Sequence, residues 1–357
     1  MIESELEPRP IELGEAIDRT KGETRHLLLG NGFSISARQS FAYRSLFQRA
    51  GPFSPHVAAL FRERQTEDFE EILAVLGGKL KDASIAAADR AKLQRQETEV
   101  RDQFVQALSH VHPDSAMRMN DDECHSCASF LELFVGRQRP ERVRGRIYTT
   151  NYDLLLYWVI ARHGRRLWCY DSHISPVDDK RYGLWDPEKP PGLVYLHGAL
   201  HLYERTQGQL MLRYSGQRSL MEQTRKLLDQ NRFPLMVSEG TSEAKLERIG
   251  RSPYLTWSRR WLRSGLRNTN GALFTFGHSL SRRDEHLVSR IGEGGIRAVY
   301  LGMWKGLAGG NVALIQGWAE QWAASRRGQP MSRPLEIRVF DTSEFSPWTS
   351  SVAQTAA

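Results

Sequence analysis

The sequence predicts an α/β fold with a mostly parallel central sheet, and three observations carry that prediction. Short runs rich in aliphatic and aromatic residues, suited to strands of a covered sheet, recur at residues 26–29, 193–196, 272–276, 296–303 and 335–340. Stretches with apolar residues at helical spacing separate them. Several of the runs stop at a glycine, a histidine or an Asn/Asp cluster, where open α/β sheets carry their ligand loops. Strands alternating with helices favour a sheet covered on both faces.

After an acidic lead, Leu27 to Leu29 form a first strand that runs into Gly30-Asn31-Gly32-Phe33-Ser34, followed by a helix over about 35–49 carrying Phe41, Tyr43, Leu46 and Phe47. Residues 66–78 place Phe69, Ile72, Leu73 and Leu76 on one helical stripe ending at Gly77-Gly78, a C-terminal stop signal. Helical patterning continues through residue 109 and again to Gly136, so residues 60–140 read as a helical insertion between strands. A strand at Ile147 and Tyr148 and a helix over 153–164 come next. Short strands follow at LWCYD (167–171) and LVYLHG (193–198), with LMLRY (210–214) as a hairpin partner. A helix over 218–230, a strand at FPLMVSEG (233–240) and a helix through 254–265 precede three more strands, with helices at about 284–291 and 312–326. The domain is expected over 24–345, with residues 346–357 as a flexible tail.

Hydrophobic residues at 40% and charged residues at 25% give a globular composition. No apolar run reaches bilayer length, and the opening MIESELEPRP lacks the basic-then-apolar pattern of a secretory signal, so a cytoplasmic protein without a membrane partner is expected. Three cysteines, Cys124, Cys127 and Cys169, supply no disulfide framework. The formal charge of +7 is spread over short clusters at Arg137 to Arg146, Arg259 to Arg267 and Arg282-Arg283, which suit either nucleic-acid association or simple solvation.

Four strand ends carry chemistry. Gly30 and Gly32 let a backbone approach a ligand closely, and amides at the next helix start can face a phosphate; an ordinary tight turn is the alternative. In TTNYD (149–153), Asn151 can donate and accept at once and Asp153 can accept from ribose hydroxyls, although both residues also suit helix capping. His197, beside Gly198, suits proton exchange near neutral pH or a structural role. Gly277, His278 and Ser279 repeat the strand-then-glycine pattern, and Asp284 can cap or orient the following helix. Asp341 and Thr342, after the last strand, can contact an adenosine half or form a plain turn.

GNGFS, TTNYD, the His-Gly after LVYL, and GHS, in that order, resemble the nucleotide-site motifs of the sirtuin-like Rossmann superfamily. The resemblance is greatest to bacterial sirtuin-like proteins, including NAD-degrading effectors of anti-phage defence, and to a related family known only as a domain of unknown function. It covers about residues 24–345, and residues 233–255 look like a segment of that latter family. The resemblance implies a Rossmann-type fold and NAD as substrate. By that resemblance Gly30, Gly32 and Ser34 would bind it, with Gly277 and Ser279; Asn31, Phe33, His278, Asp341 and Thr342 are expected to contact it beside them. Asn151 and Asp153 would line the nicotinamide-ribose pocket, and His197 would be catalytic.

Protein-deacylating sirtuins carry a zinc module of two cysteine pairs, whereas this chain has one pair, Cys124-x-x-Cys127, with Cys169 remote and His110, His112 and His125 nearby. No metal is therefore predicted, and the weight shifts from deacylation to NAD hydrolysis. In that reaction Asn151 positions ribose and water, His197 acts as base or ribose-hydroxyl partner, and Asp153 orients the set without covalent attack. The alternatives are a non-catalytic sensor of NAD or an ADP-ribose derivative, and an ADP-ribosyl transferase. A homo-oligomer or a protein activator is a further partner consistent with such an activity.

Overall fold

Leu27, Leu28 and Leu29 are all buried, yet they serve two different cores, because successive strand side chains point to opposite faces of a sheet. The computed structural model describes residues 10–136, 145–167, 175–176, 182–188, 190–205, 208–212, 219–238, 240–306, 312–327 and 334–349. Its strands are β1 (Thr24–Leu29), β2 (Ile147–Thr149), β3 (Ser175–Pro176), β4 (Tyr182–Leu184), β5 (Leu193–Tyr195), β6 (Leu202–Arg205), β7 (Gly208–Leu212), β8 (Gly271–Phe276), β9 (Ala298–Met303) and β10 (Glu336–Asp341). Six of them form one sheet in the order β10-β9-β8-β1-β2-β5, with every pairing parallel. Leu27 stands opposite Ile147 on one side and Phe274 on the other. Counted along the chain, these strands lie in the doubly wound order 3-2-1-4-5-6, which reverses between β1 and β8.

Helices cover both faces. On the first lie α1 (Leu13–Arg19), α2 (Asn31–Ala37), α3 (Tyr43–Arg49), α4 (Pro55–Arg64), α5 (Phe69–Leu80), α6 (Ala87–Val111), α7 (Asp121–Val135) and α8 (Leu155–Leu167), joined later by α9 (Leu220–Asp229) and α10 (Ser242–Gly250). α11 (Pro253–Leu266) reaches both cores: Tyr254 and Trp257 face the first, Leu262 and Leu266 the second. α12 (Glu285–Val288), α13 (Arg290–Glu293) and α14 (Val312–Arg327) complete the second face with Leu287, Ile291, Trp318 and Trp322. Burying each such side chain stabilises the fold by about 1.5–3 kcal/mol. Among the described residues no helix is long and apolar enough to cross a membrane.

The helical insertion shares the main core rather than forming one of its own. Phe69 and Phe104 lie 5.1 Å apart, and Phe104 meets Tyr152 edge-on at 5.8 Å. α5 runs through Gly77-Gly78 to Leu80 instead of stopping there. The helix expected over 35–49 starts earlier, at Asn31 with Gly30 as its cap, and is broken by a 3₁₀ turn at Gln39–Phe41 before α3.

Three other expectations change. LMLRY does not pair with LVYLHG: β5 closes the central sheet, while β7 pairs with β6 and β4 in a separate antiparallel sheet of order β3-β4-β7-β6. FPLMVSEG makes a single antiparallel bridge, Met236 to Gly198, instead of a strand. The expected loose tail begins with a packed turn, since Trp348 is buried against Phe33 and its indole N–H donates to the Phe33 carbonyl at 3.0 Å. LWCYD beyond Leu167, Cys169 among it, and residues 350–357 lie outside the described residues.

Candidate active site

The loops after β1 and β8 interlock at the point where the strand order reverses. Gly30 N–H donates to the Phe276 carbonyl at 3.0 Å and Gly32 N–H to the Gly277 carbonyl at 2.8 Å. A Cβ on Gly30 would stand 2.5 Å from His278 Cα, and one on Gly32 2.6 Å from Gly277 Cα. Gly277 itself has φ +64° and would put a Cβ 2.3 Å from the Phe33 nitrogen. Only glycine fits this crossing. The expected phosphate cradle changes accordingly, because the Gly32 amide is bonded to Gly277 and the Phe33 amide to the Gly30 carbonyl. These glycines serve the approach of two loops first.

A cavity of about 310 Å³ opens on the β1, β2 and β5 side of the crossing, lined among others by Asn31, Asn151, Asp153, His197 and Lys245. Ser34 organises its floor. Its hydroxyl lies 2.5 Å from Asp153 Oδ2 and accepts from Asn151 Nδ2 at 2.9 Å, while Asp153 Oδ1 accepts from the Leu155 N–H at 2.9 Å. With the hydroxyl hydrogen directed at the carboxylate, Asn151 must turn its NH₂ to Ser34. Its Oδ1 is left buried without a partner, an acceptor on a cavity-lining side chain. Burial raises the Asp153 pKa, and the Ser34 and Leu155 bonds pull it partly back.

The wall is a cluster of charge and imidazole. His197 follows β5 and is positioned by Gly198 (φ +79°), whose missing Cβ would meet the Leu235 carbonyl oxygen at 2.0 Å. His197 Nε2 is 3.1 Å from His286 Nε2 and 3.9 Å from Asp284 Oδ1. Lys245, with 1% of its side chain exposed, donates to Glu70 Oε2 at 2.9 Å and to Asp284 Oδ1 at 2.8 Å. Burial would lower the Lys245 pKa, but Glu70 and Asp284 raise it above its ordinary value. Burial would raise Asp284, but Lys245, then His197 and His278, hold it well below the carboxylate range. Burial, followed by Lys245, drives His197 far below 6.5, so its imidazole is neutral. His278 accepts the Leu280 N–H on Nδ1 at 3.0 Å, which leaves Nε2 buried and unpartnered 3.7 Å from Asp284 Oδ2.

A second cavity, of about 1080 Å³, lies across the crossing over the ends of β8, β9 and β10. Thr342, Met303, Trp304, Phe345 and Arg282 line it, and Gly32, Gly277, His278 and Ser279 line both cavities. Of the residues expected to bind a nucleotide, three lie outside both linings. The Phe33 ring packs in the core against Phe276 and Trp348. Ser34 is fully buried and acts through Asn151 and Asp153. Asp341 Oδ1 accepts from the Ser343 N–H at 2.8 Å and shapes the turn.

A family model described as a domain of unknown function, DUF4917, matches residues 27–348, from β1 to the packed Trp348. The chain belongs to the DUF4917 family. Among curated proteins, none matches it.

Four residues of this DUF4917 protein's site went unrecognised as site residues in the sequence: Glu70, Lys245, Asp284 and His286. Glu70 reads there as an ordinary acid in a helix first turn, favourable to the dipole. Lys245 did leave a signal, because it sits one turn before Ile249 on the buried stripe of α10, where a lysine is out of place. Asp284 stands at the cap position of α12 without capping it; its carboxylate goes to Lys245 instead.

The cysteine pair does not gather metal ligands among the described residues. Cys124 and Cys127 are buried in the core, and burial raises both thiols, Cys127 well above its usual value. His112 has both nitrogens engaged, Nδ1 with the Pro113 carbonyl at 2.8 Å and Nε2 with the Leu154 N–H at 2.7 Å. His197, Asp284 and His286 do bring ligand atoms within 4.8 Å of one another, but the Lys245 ammonium already sits at 2.8 Å on the Asp284 carboxylate, where a cation would be.

Proposed function

We propose that this protein is an NAD glycohydrolase that splits NAD into nicotinamide and ADP-ribose. One observation carries the reading: the unpartnered acceptor of Asn151 and the neutral His197 share a small cavity, and a larger cavity lies directly across the glycine crossing. That layout suits a dinucleotide whose two halves flank its pyrophosphate. The hydroxyls of Ser279 and Ser281 line both cavities and Arg282 lines the larger, so donors for an anion flank the crossing. The order of the sirtuin-like motifs along the chain agrees with this placement.

The chemistry follows from the charges. Nicotinamide bound to ribose is already a cationic leaving group, and the reaction builds positive charge on the sugar. Two carboxylates, Glu70 and Asp284, against the single ammonium of Lys245 leave net negative charge in the wall, which favours that cation over a neutral ligand. Asn151 Oδ1 accepts a hydrogen from the ribose or from water and fixes its direction. The bond from C1′ to nicotinamide breaks with its electron pair leaving on nicotinamide, water oxygen bonds C1′, and the water proton passes to His197.

Incubating the protein with NAD and separating nicotinamide, ADP-ribose and cyclic products tests the reading. Nicotinamide and ADP-ribose are the expected products, and His197→Ala or Asn151→Ala should slow their release by about 10²–10⁴-fold. Calorimetric binding of NAD with no nicotinamide released, or equal rates for wild type and both variants, would overturn it.

A further inference from the structure

His197 has a second imidazole behind it. His286 lies outside the cavity lining; its ring is 5.2 Å from that of His197 at an interplanar angle of 21°, with the two Nε2 atoms 3.1 Å apart. Its far nitrogen, Nδ1, is 3.3 Å from Ser242 Oγ, which also accepts the His286 backbone N–H at 2.8 Å. Two facing ring nitrogens at that distance hold one hydrogen between them. We propose that at rest this hydrogen is on His197 Nε2, so that His197 presents a bare Nδ1 as base, and that His286 and Ser242 form a relay that accepts the Nε2 proton when Nδ1 is protonated. The relay rests on the hydrolase reading for the proton it moves, while the resting tautomer does not depend on it.

The surroundings favour transfer in this direction. The charged and titratable groups around the pair are Lys245, Asp284 and His278, with Arg259 and Glu243 also interacting with His286. A proton kept on His197 has the Lys245 ammonium as its strongest charged opponent, whereas for His286 the leading charge is the Asp284 carboxylate, which favours protonation. Burial depresses both rings, Lys245 adds to that at His197 and Asp284 offsets it at His286, so the second is the better proton holder. A resting His286 with Nδ1–H can donate to Ser242 and leave its Nε2 as the acceptor facing His197. In the step itself the O–H bond of the attacking water breaks as His197 Nδ1–H forms, and His197 Nε2–H breaks as His286 Nε2–H forms. His286 becomes the imidazolium, and no electrons change hands. His286 is thus a positioning and relay residue acting through His197.

The test combines nitrogen NMR of ¹⁵N-histidine-labelled full-length protein with nicotinamide release across pH, for wild type, His286→Gln and Ser242→Ala. At neutral pH wild-type His197 should be neutral and protonated on Nε2. Glutamine can accept that N–H and keep the tautomer but cannot pass a proton on. His286→Gln should therefore lower kcat by about 10- to 100-fold, the lower range of acid–base contributions, with KM within about twofold. The acid limb of its kcat profile should move to lower pH, because the proton that the wild-type pair takes on His286 must in the variant go to His197, whose pKa burial and Lys245 hold well below 6.5. Ser242→Ala keeps both rings and should shift kcat in the same direction by less, which provides the readout if His286→Gln fails to fold. A wild-type His197 protonated on Nδ1, or a His286→Gln enzyme with unchanged kcat and pH profile, overturns the relay. Wild-type protein with the Nε2–H tautomer that releases no nicotinamide removes the hydrolase reading and leaves the tautomer assignment standing.

Discussion

Two polar clusters face the same cavity, and they are built in opposite ways. The floor, Asn151, Ser34 and Asp153, comes from two strand ends that are neighbours in the sheet, and its three side chains are held by hydrogen bonds with one potential charge among them. The wall, Glu70, Lys245, Asp284, His197, His278 and His286, is drawn from five separate places in the chain and is centred on the two ion pairs of Lys245, with the imidazoles beside Asp284. The floor sets direction and the wall sets charge. Each floor residue belongs to a motif at a strand end, although Ser34 lies 117 residues from Asn151, whereas most of the wall belongs to no motif.

The sharpest way to break this contrast is to remove the one cation of the wall. Lys245→Met leaves Glu70 and Asp284 as mostly buried carboxylates without the ammonium they share, with the more distant Arg283 still acting on Glu70. Breaking a buried pair by removing one partner costs about 3–5 kcal/mol, and equilibrium urea unfolding at neutral pH should read a loss of that size. Adding Asp284→Asn to Lys245→Met should recover part of it, since one stranded charge is then gone. Unchanged stability in Lys245→Met would mean the wall is solvated and the contrast with the floor is wrong.

Acid should separate the clusters by sign. His286 has its pKa depressed from 6.5 to about 4 by burial, so its contribution is complete above the unfolded value and is lost as pH falls through the folded one. That loss amounts to about 3 kcal/mol between roughly pH 6.5 and 4 for this one ring. Asp153 has a raised folded pKa, so its contribution runs the other way: it is complete below the unfolded value and is lost as pH rises through the folded one. Urea midpoints measured from pH 7 to pH 4 should fall in the wild type, and His286→Gln should flatten the fall. An equal slope in the two proteins would place the acid sensitivity elsewhere, for example in His26 or His112, which burial depresses to about 3 and about 4.

The same division explains what the sequence disclosed. The parallel sheet was legible because period-2 burial on both faces makes strands such as Leu27 to Leu29 and Ala272 to Phe276 continuous apolar runs, and the floor residues sit immediately beyond such runs. Gly30 and Gly32 were legible as glycines needed for close approach, but their partner was not: the sequence suggested a phosphate, and the first thing they approach is the loop of Gly277. Glu70 was hidden because a helix-opening acid needs no tertiary explanation. Asp284 was read as a cap for the same kind of reason, since a local role is always the simpler inference for an aspartate before a helix. The partners of Lys245 lie 175 and 39 residues away in sequence, and no spacing rule reaches them. Phe33, conspicuous in its motif, turned out to be core because α2 starts at Asn31 and turns that ring toward Trp348.

The smallest expected effect tests the floor itself. Ser34→Ala removes a hydroxyl that satisfies both Asn151 Nδ2 and Asp153 Oδ2, leaving a buried donor and a buried acceptor unpaired at a cost of about 1–3 kcal/mol. Since the Ser34 bond lowers the Asp153 pKa against the burial that raises it, its loss lets that pKa climb further. Asp153 is then protonated at a higher pH in the variant than in the wild type, and once both carry the proton the difference between them shrinks. The stability gap between Ser34→Ala and wild type, measured by urea unfolding, should therefore be largest near neutral pH and narrow as pH falls, opposite to the loss from the wall. A gap that stays constant with pH would mean Asp153 does not feel Ser34, and that the orientation of Asn151 is held by something other than this hydroxyl.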